Sequence, residues 1–371
     1  MLPDGRRLGA HLPLSGGMVA AVNRAASVGL DTLQVFSDNP TVWRRRAAPP
    51  SDLAAFRGRI DQLGFGPIAI HASYLVNLAG PDEDFYLRSI DLVSHELSVA
   101  PSFGARFVNV HTGSHKGPGD AAADGTRQTD GARKTDGARK AVDRALARIA
   151  EGVATALAET PEDPDEALLV LENSAGSGGG VGATVDELAR LFDELTVNAV
   201  DNRVAFCLDT AHLWAAGHPI DTIEGVDRLI GEFGDRIGLD RLVMIHLNDS
   251  KSALGSRLDR HEHLGAGQIG PVGLARILTH PDLHHVTYYL ETPGMDAGYD
   301  AVNAERAHAL AEGRPLAQLP PEAMNVAGTR ARIGPKPVAQ VRPKSKPKPK
   351  PRPRRASKPK PHGARSGDGT G

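Results

Sequence analysis

The sequence predicts a TIM (β/α)8 barrel, and three observations support this prediction. Eight short apolar runs recur along the chain, separated by stretches that suit helices. Their starts lie 24, 36, 39, 60, 37, 38 and 43 residues apart, and six runs carry a candidate metal ligand as their last or last-but-one residue. Parallel strands buried on both faces are nearly continuous in apolar residues and need crossover helices. A doubly wound open sheet is the alternative.

The eight strand candidates are short, rich in Val, Ile and Leu, and followed by polar or glycine-rich segments. The first four are LGAHL at 8–12, TLQVF at 32–36, IAIHA at 68–72 and FVNVH at 107–111. The second four are ALLVLE at 167–172, VAFCLD at 204–209, LVMIHL at 242–247 and HVTYYLE at 285–291.

The interval of 60 residues contains a repeated segment. ADGTRQ, TDGARK and TDGARK follow one another over residues 123–140. Six residues are too few for a helical solenoid repeat, and the copies are rich in Asp, Gly and charge. We therefore expect a low-complexity loop insertion at about residues 119–140 of a barrel that spans 1–329.

The end of the chain differs in composition from the rest. Residues 330–371 contain 14 basic residues and one acidic residue, a charge of +13, and are built on Lys-Pro and Arg-Pro pairs. The preceding residues contain 29 basic and 44 acidic residues, a charge of −15. With hardly any aliphatic residue to bury, the segment 330–371 is predicted to be a disordered basic tail.

The cellular compartment is predicted from three features. Cys207 is the one cysteine, which excludes an intramolecular disulfide. The N-terminus lacks the layout of a signal peptide, and no apolar run approaches the ~18 residues of a membrane span. These features predict a soluble cytoplasmic protein.

Polar residues cluster at one place in each predicted unit, the carboxyl end of the strand, where the active site of a barrel is built. A single such residue is more often structural than a ligand. Nine together, however, would be costly to bury without cations. The nine are His71, His111, Glu172, Asp209, His212, His246, Asp259, His261 and Glu291.

Five imidazoles and four carboxylates without a thiol suit Zn²⁺, with Mn²⁺ or Fe²⁺ possible at one position. Nine ligands exceed the needs of two zinc ions, whereas three ions sharing a bridging carboxylate would use them all. Three Zn²⁺ change the local charge from −4 to +2, which makes the pocket an anion site suited to phosphate.

Longer stretches around these residues resemble the endonuclease IV family of apurinic/apyrimidinic endonucleases. The resemblance runs in order from about Gly9 to Glu291. The block at 246–270 is highly specific. The matching stretches are GAH at 9–11, HASYLVNL at 71–78, HTGSH at 111–115, LENSAGSG at 171–178, LDTAHLWAAG at 208–217, HLNDSKSALGSRLDRHEHLGAGQIG at 246–270 and LET at 290–292.

The resemblance implies a ligand set and a reaction. His71, His111 and Glu172 would hold one zinc, and Glu172 would bridge to a second. The second would also be held by Asp209, His246 and Glu291, and the third by His212, Asp259 and His261. Glu172 and Glu291 would be catalytic, because they would also orient the attacking water.

The implied substrate is double-stranded DNA with an abasic site or a blocked 3′ end. Cleavage 5′ to the abasic site would leave a 3′-hydroxyl and a 5′-deoxyribose phosphate. The protein would be a monomer associated with the nucleoid, and its basic tail would bind the nucleic-acid backbone.

Two segments are expected to probe the DNA. Tyr74 and Leu75 match a loop of the family, and an aromatic beside an aliphatic side chain suits entry into a distorted base step. In the segment after the second strand, Thr41 stands where the family carries an inserted Arg. Arg44, followed by two further arginines, is expected to substitute for it. Three other histidines, His11, His115 and His263, are expected beside the metal site or against phosphate.

Two other functions fit parts of the sequence. A metal-dependent sugar isomerase or epimerase shares the barrel and a rim of His, Asp and Glu, but normally needs one or two metals. Asp259, His261 and Tyr74 argue against it. A non-enzymatic DNA-coating protein would act through the tail alone, which would leave nine ligands unexplained.

Overall fold

All eight predicted strands are present in a computed structural model that describes residues 1–116, 131–160, 167–325 and 363. Their bounds differ from the predicted ones by at most two residues at either end, and those of the strand at 204–209 are as predicted. They are β1 Leu8–His11, β2 Thr32–Val35, β3 Ile68–His71, β4 Ala105–His111, β5 Leu168–Glu172, β6 Val204–Asp209, β7 Leu242–His246 and β10 Thr287–Leu290. The sequence did not predict a small antiparallel hairpin in the loop after β7. Its strands are β8 Asp249–Ser250 and β9 His261–Glu262.

The eight predicted strands close into a barrel. The barrel order is β1-β10-β7-β6-β5-β4-β3-β2, with parallel pairing throughout. The first strand pairs with both its successor and the last strand, through Gly9 to Thr32 and Ala10 to Leu290. The TIM barrel prediction is therefore confirmed, and the open sheet is excluded.

Nine α-helices lie in the described part of the chain. They are α1 Met18–Ser27, α2 Leu53–Leu63, α3 Glu83–Phe103, α4 Gly131–Ala158, α5 Val185–Val197, α6 Thr210–Ala216, α7 Ile223–Arg236, α8 Gly270–Thr279 and α9 Tyr299–Ala311. Several begin at a side-chain cap. Asp82, Thr184 and Thr222 each accept a hydrogen bond from the backbone N–H three residues on, which satisfies a donor that the first turn leaves free.

The core has an outer layer between sheet and helices and a smaller cluster inside the barrel. The inner cluster consists of Ala69, Phe107, Val170, Ala205, Cys207, Met244 and Tyr289. Burial raises the pKa of the Cys207 thiol to about 11, so this cysteine is an uncharged packing residue, as its apolar strand predicts. No helix of the described part is long and apolar enough to cross a membrane.

The predicted loop insertion is wrong over its second half. Residues 131–140, which contain most of the last two repeats, form the start of α4. Ala, Arg and Lys are good helix formers, and α4 continues into a face that buries Leu146, Ile149 and Val153. The rest of the predicted loop, at 117–130, lies outside the described residues. The predicted boundary at 329 and the tail, apart from Gly363, lie outside them as well.

Candidate metal centre

All nine predicted ligands lie at one rim of the barrel. His71, His111, Glu172, Asp209 and His246 are the last residues of β3 to β7. Glu291 directly follows β10, His261 begins β9, and Asp259 precedes it by two residues. Because parallel strands end at the same edge of a sheet, the strand-end residues must converge there. The position of a residue at the end of its strand, which can be read from the sequence, therefore predicts that it lies at this rim.

Eight of the nine form three clusters in which the candidate ligand atoms all lie within 4.8 Å of one another. The first is His71, His111 and Glu172, and the second is Glu172, Asp209, His246 and Glu291. Both match the predicted groups, and Glu172 belongs to both. The third contains Asp209, His212 and His261.

Asp259 reaches the third cluster through both of its histidines. Its Oδ2 lies 3.2 Å from Nε2 of His212, and its Oδ1 lies 3.1 Å from Nε2 of His261. The side chains at this end of the site therefore lie in contact; they are Asp209, His212, Asp259 and His261. The geometric cluster includes Asp209 where the resemblance implies Asp259, because Asp209 is also the N-cap of α6, three residues before His212.

The buried nitrogens of the histidines fit a metal site. Nδ1 of His71 lies 2.7 Å from the carbonyl oxygen of Ala72, and Nδ1 of His261 lies 2.8 Å from that of Glu291. A carbonyl only accepts, so these Nδ1 atoms carry hydrogen and leave Nε2 for a ligand. Nε2 of His71 is buried without a hydrogen bond, 3.5 Å from Glu172. Such an atom is costly unless a cation binds it.

The electrostatics of the site keep its central carboxylate ionised. Burial alone would raise the pKa of Glu172, but His111 and His246 outweigh it and hold the pKa well below its usual value. For His212, burial would lower the pKa, but Asp209 and Asp259 raise it well above normal. Nearby positive charge thus stabilises the buried carboxylates, and divalent cations would supply such charge.

Three side-chain amides that were not among the predicted site residues hold the carboxylates in place. Nδ2 of Asn109 donates to Glu172 at 2.7 Å, and Nδ2 of Asn248 donates to Asp209 at 2.9 Å. Nε2 of Gln34 donates to Glu291 at 2.8 Å. Such partners orient metal ligands. A signal existed, because Gln34 and Asn109 are polar residues that lie between apolar neighbours in their strands.

The three extra histidines differ in position. Nδ1 of His11 lies 2.9 Å from Glu291, and its ring lies 5.5 Å from that of His71, so His11 borders the cluster as expected. His115 lies in the loop after β4 with its backbone N–H bonded to Gly179. The prediction for His263 is wrong. It is fully buried and its ring nitrogens face Ala323 and Asn303, so it packs the C-terminal segment.

The predicted DNA-probing residues lie near the same rim. Tyr74 and Leu75 are half-buried, and the ring of Tyr74 lies 5.5 Å from that of His71. Arg44 is exposed and makes no hydrogen bond or ion pair within the described residues. The two arginines after it form ion pairs within the protein, Arg45 with Glu96 and Arg46 with Asp38.

Comparisons with known proteins agree with this geometry. The family model described as Xylose isomerase-like TIM barrel matches residues 22–315. A Methanoculleus marisnigri protein named Probable endonuclease 4 is 37% identical over 306 residues, covering 82% of this chain and 98% of that protein. The chain belongs to the endonuclease IV family.

A solved endonuclease IV supports the same assignment. The enzyme from Thermus thermophilus is 34% identical and has a TM-score of 0.66, covering 83% of this chain and 99% of that one. A D-tagatose 3-epimerase-like protein has a TM-score of 0.54 at 14% identity, which shows a shared fold alone. The endonuclease IV proteins of these two organisms are thus similar to this chain in sequence, whereas the epimerase-like protein is similar in fold alone.

Proposed function

We propose that this protein is a DNA-repair endonuclease that hydrolyses the phosphodiester 5′ to an abasic site. The products are a 3′-hydroxyl and a 5′-deoxyribose phosphate, and the same site removes blocked 3′ groups. One observation carries the proposal. In a member of the endonuclease IV family, all nine candidate ligands lie in contact at one rim of the barrel. This arrangement suits a phosphodiester, whose hydrolysis requires charge to be neutralised on several oxygens.

The residues that would hold three zinc ions follow from the clusters. His71, His111 and Glu172 would hold one ion, and Glu172 would share a second with Asp209, His246 and Glu291. The third would bind His212, Asp259 and His261. Zinc held by these residues would lower the pKa of water and would neutralise charge on the attacking and leaving oxygens.

The chain's own carboxylates orient the attacking water. The pKa of Glu172 and that of Glu291 are both held well below the usual range, although burial acts in the opposite direction. Both groups are therefore ionised at neutral pH and accept hydrogen bonds from water. One oxygen of each carboxylate is held by neighbouring side chains. Asn109 holds that of Glu172, whereas Gln34 and His11 hold that of Glu291. The direction of the other oxygen is thereby fixed.

Side chains beside the rim recognise the damaged duplex. Tyr74 and Leu75 enter the base stack at the lesion, and Arg44 contacts the phosphate backbone. An abasic nucleotide leaves the helix at little cost, because it has no base to unstack, and this favours damaged over intact DNA. The protein acts as a monomer on the nucleoid, and the basic tail adds backbone contacts.

The experiment is cleavage of a duplex with one abasic analogue. We expect a single cut with a 3′-hydroxyl and a 5′-deoxyribose phosphate, and no cut in the matched intact duplex. Metal-stripped protein should be inactive and regain activity with zinc. A second duplex with a 3′-phosphoglycolate end tests removal of blocked ends.

A variant changed on the surface away from the rim serves as the control for the cleavage assay. Asp193→Asn changes an exposed acid on α5, at the outside of the barrel, and should cut like the wild type. A cut on the 3′ side of the lesion, or equal cutting of intact DNA, would contradict the proposal. Failure to cut by protein that carries its metals would also contradict it.

A further inference from the structure

Two neighbouring loops carry the side chains proposed to probe DNA. The first rim loop, residues 37–46 after β2, carries Arg44. The second rim loop, residues 72–77 after β3, carries Tyr74 and Leu75. The two loops belong to different βα units, and the sequence does not show whether they are joined.

Ser73 joins the two loops through one hydroxyl group. Its Oγ donates to the carbonyl oxygen of Pro40 at 2.6 Å and accepts from the backbone N–H of Leu75 at 3.2 Å. The side chain is only 4% exposed, so water competes poorly for these bonds. A hydroxyl is the smallest side-chain group that both donates and accepts, and Ser73 uses both capacities.

Glu96 of α3 holds both ends of the first rim loop from below. It accepts a hydrogen bond from the Ser37 hydroxyl, and its other oxygen lies 3.6 Å from Nη1 of Arg45. Arg45 in turn donates to the backbone carbonyl groups of Val42 and Trp43. Glu96 is 1% exposed, so this anchor is buried beneath the loop.

Aromatic contacts tie the same parts together. The ring of Phe36, the residue directly after β2, lies 5.2 Å from that of Tyr74 in an edge-on arrangement. Trp43 of the first rim loop packs edge-on against Phe85 of α3 at 4.8 Å. The backbone of both loops is therefore fixed, whereas Arg44 projects from it exposed.

We infer that Ser73 is a positioning residue that joins the two rim loops, so that Arg44 and Leu75 bind a damaged duplex as one unit. This inference rests on the proposed function. The physical reason is preorganisation, because loops already ordered in the free protein lose less conformational freedom on binding. Groups held in one rigid unit also lose independence, so their effects on binding are not additive.

The test measures whether the two loops are coupled, and whether Ser73 carries the coupling. Binding to a duplex with a non-cleavable abasic analogue is measured for wild type, Arg44→Ala, Leu75→Ala and the double variant. The same four proteins are then made with Ser73→Ala. Ser73→Thr, which keeps the hydroxyl, is the matched control.

We expect the two single changes to be non-additive by about fivefold in Kd when Ser73 is present, the usual scale for coupled neighbours. With Ser73→Ala, we expect this non-additivity to fall to within about twofold, as for independent sites. Ser73→Thr should restore it. Ser73→Ala should also raise KM about fivefold while kcat stays within about twofold, because it loosens the loops that bind DNA and leaves the reacting groups in place.

The outcomes separate this inference from the proposed function. If wild-type protein does not prefer the abasic duplex, the proposed function fails. If it prefers that duplex but the coupling is unchanged by Ser73→Ala, the role of Ser73 is wrong. Metal content and melting temperature are measured for each variant, because Ser73 lies two residues after His71. A loss of metal with Ser73→Ala would assign it to the metal site instead.

Discussion

The side-chain carbonyl oxygen of Gln34 lies 3.1 Å from Nε2 of His246, and both side chains are fully buried. Because a carbonyl only accepts, Nε2 of His246 carries the hydrogen. The other nitrogen, Nδ1, then faces Glu172 and Glu291 at 3.5 Å each, without a hydrogen bond of its own. Gln34 of β2 thus determines which nitrogen of His246, on β7, is available to bind a metal.

Changing Gln34 to Leu should weaken metal binding without unfolding the barrel. Leucine fills a similar volume but neither accepts from His246 nor donates to Glu291. Loss of such an orienting partner lowers metal affinity by about 10- to 100-fold. Competition with a chromophoric chelator measures it. Gln62→Leu, on the exposed face of α2, is the control, and equal affinities in both variants would show that Gln34 orients nothing.

The purified protein should contain about three metal ions per chain, chiefly zinc. Nine contacting ligands support this number, and a partly filled set would leave buried charges unbalanced. Elemental analysis of protein never exposed to a chelator measures the content. Chelation should also lower the melting temperature, because metal binding stabilises the folded state. A content of one ion or none would overturn the trinuclear prediction.

Replacing Glu172 with Gln should nearly abolish DNA cleavage while the barrel stays folded. Glu172 belongs to two of the clusters, and an amide bridges two cations poorly. We expect kcat to fall by at least about 100-fold, the scale of removing one charge-stabilising group from an active site. Turnover on the abasic duplex and circular dichroism check the two halves of this prediction. Activity within a few fold of wild type would show that Glu172 is no bridge.

Glu96 should make stability depend on pH. Burial raises its pKa to about 7 despite the Ser37 hydrogen bond and Arg45, so the folded protein holds this proton more tightly than the unfolded chain. The stabilisation is present below the ordinary carboxyl pKa and is lost as pH rises through about 7. Glu96→Gln mimics the protonated form at every pH.

The melting temperature of Glu96→Gln relative to wild type should therefore rise between about pH 5 and about pH 8. Thermal melts of both proteins across this range measure the difference. Glu83→Gln, an exposed acid at the start of α3, is the control and should show no such trend. A difference independent of pH would mean that Glu96 does not titrate in this range.

Removing residues 330–371 should weaken binding to DNA without moving the cut. The segment carries +13 and the rest of the chain −15, so truncation removes most long-range attraction. If about six to ten cations contact phosphates, log K of the full chain falls with log salt at a slope of about −5 to −9. The truncated chain should show a much smaller slope and similar turnover at saturation. An unchanged slope, or a shifted cut, would contradict this role of the tail.

The sequence predicted the barrel and its ligand rim because both follow from the order of residues within each short segment of the chain. A strand such as LLVLE ends in Glu172 whatever its neighbours are, and parallel pairing brings every strand end to one edge. The Asp and Gly residues of the repeat predict a loop at 131–140, but these residues form the start of α4, because Ala, Arg and Lys favour a helix.

The sequence by itself determined which residues can bind metal and at which edge of the sheet they lie. Only the tertiary structure decided how they are held. Gln34 and His246 are 212 residues apart along the chain, and Ser73 meets Pro40 across two βα units. Strand periodicity fixes the face on which a side chain lies, but a hydrogen bond depends on two distant elements closing at atomic distance, which no local pattern encodes.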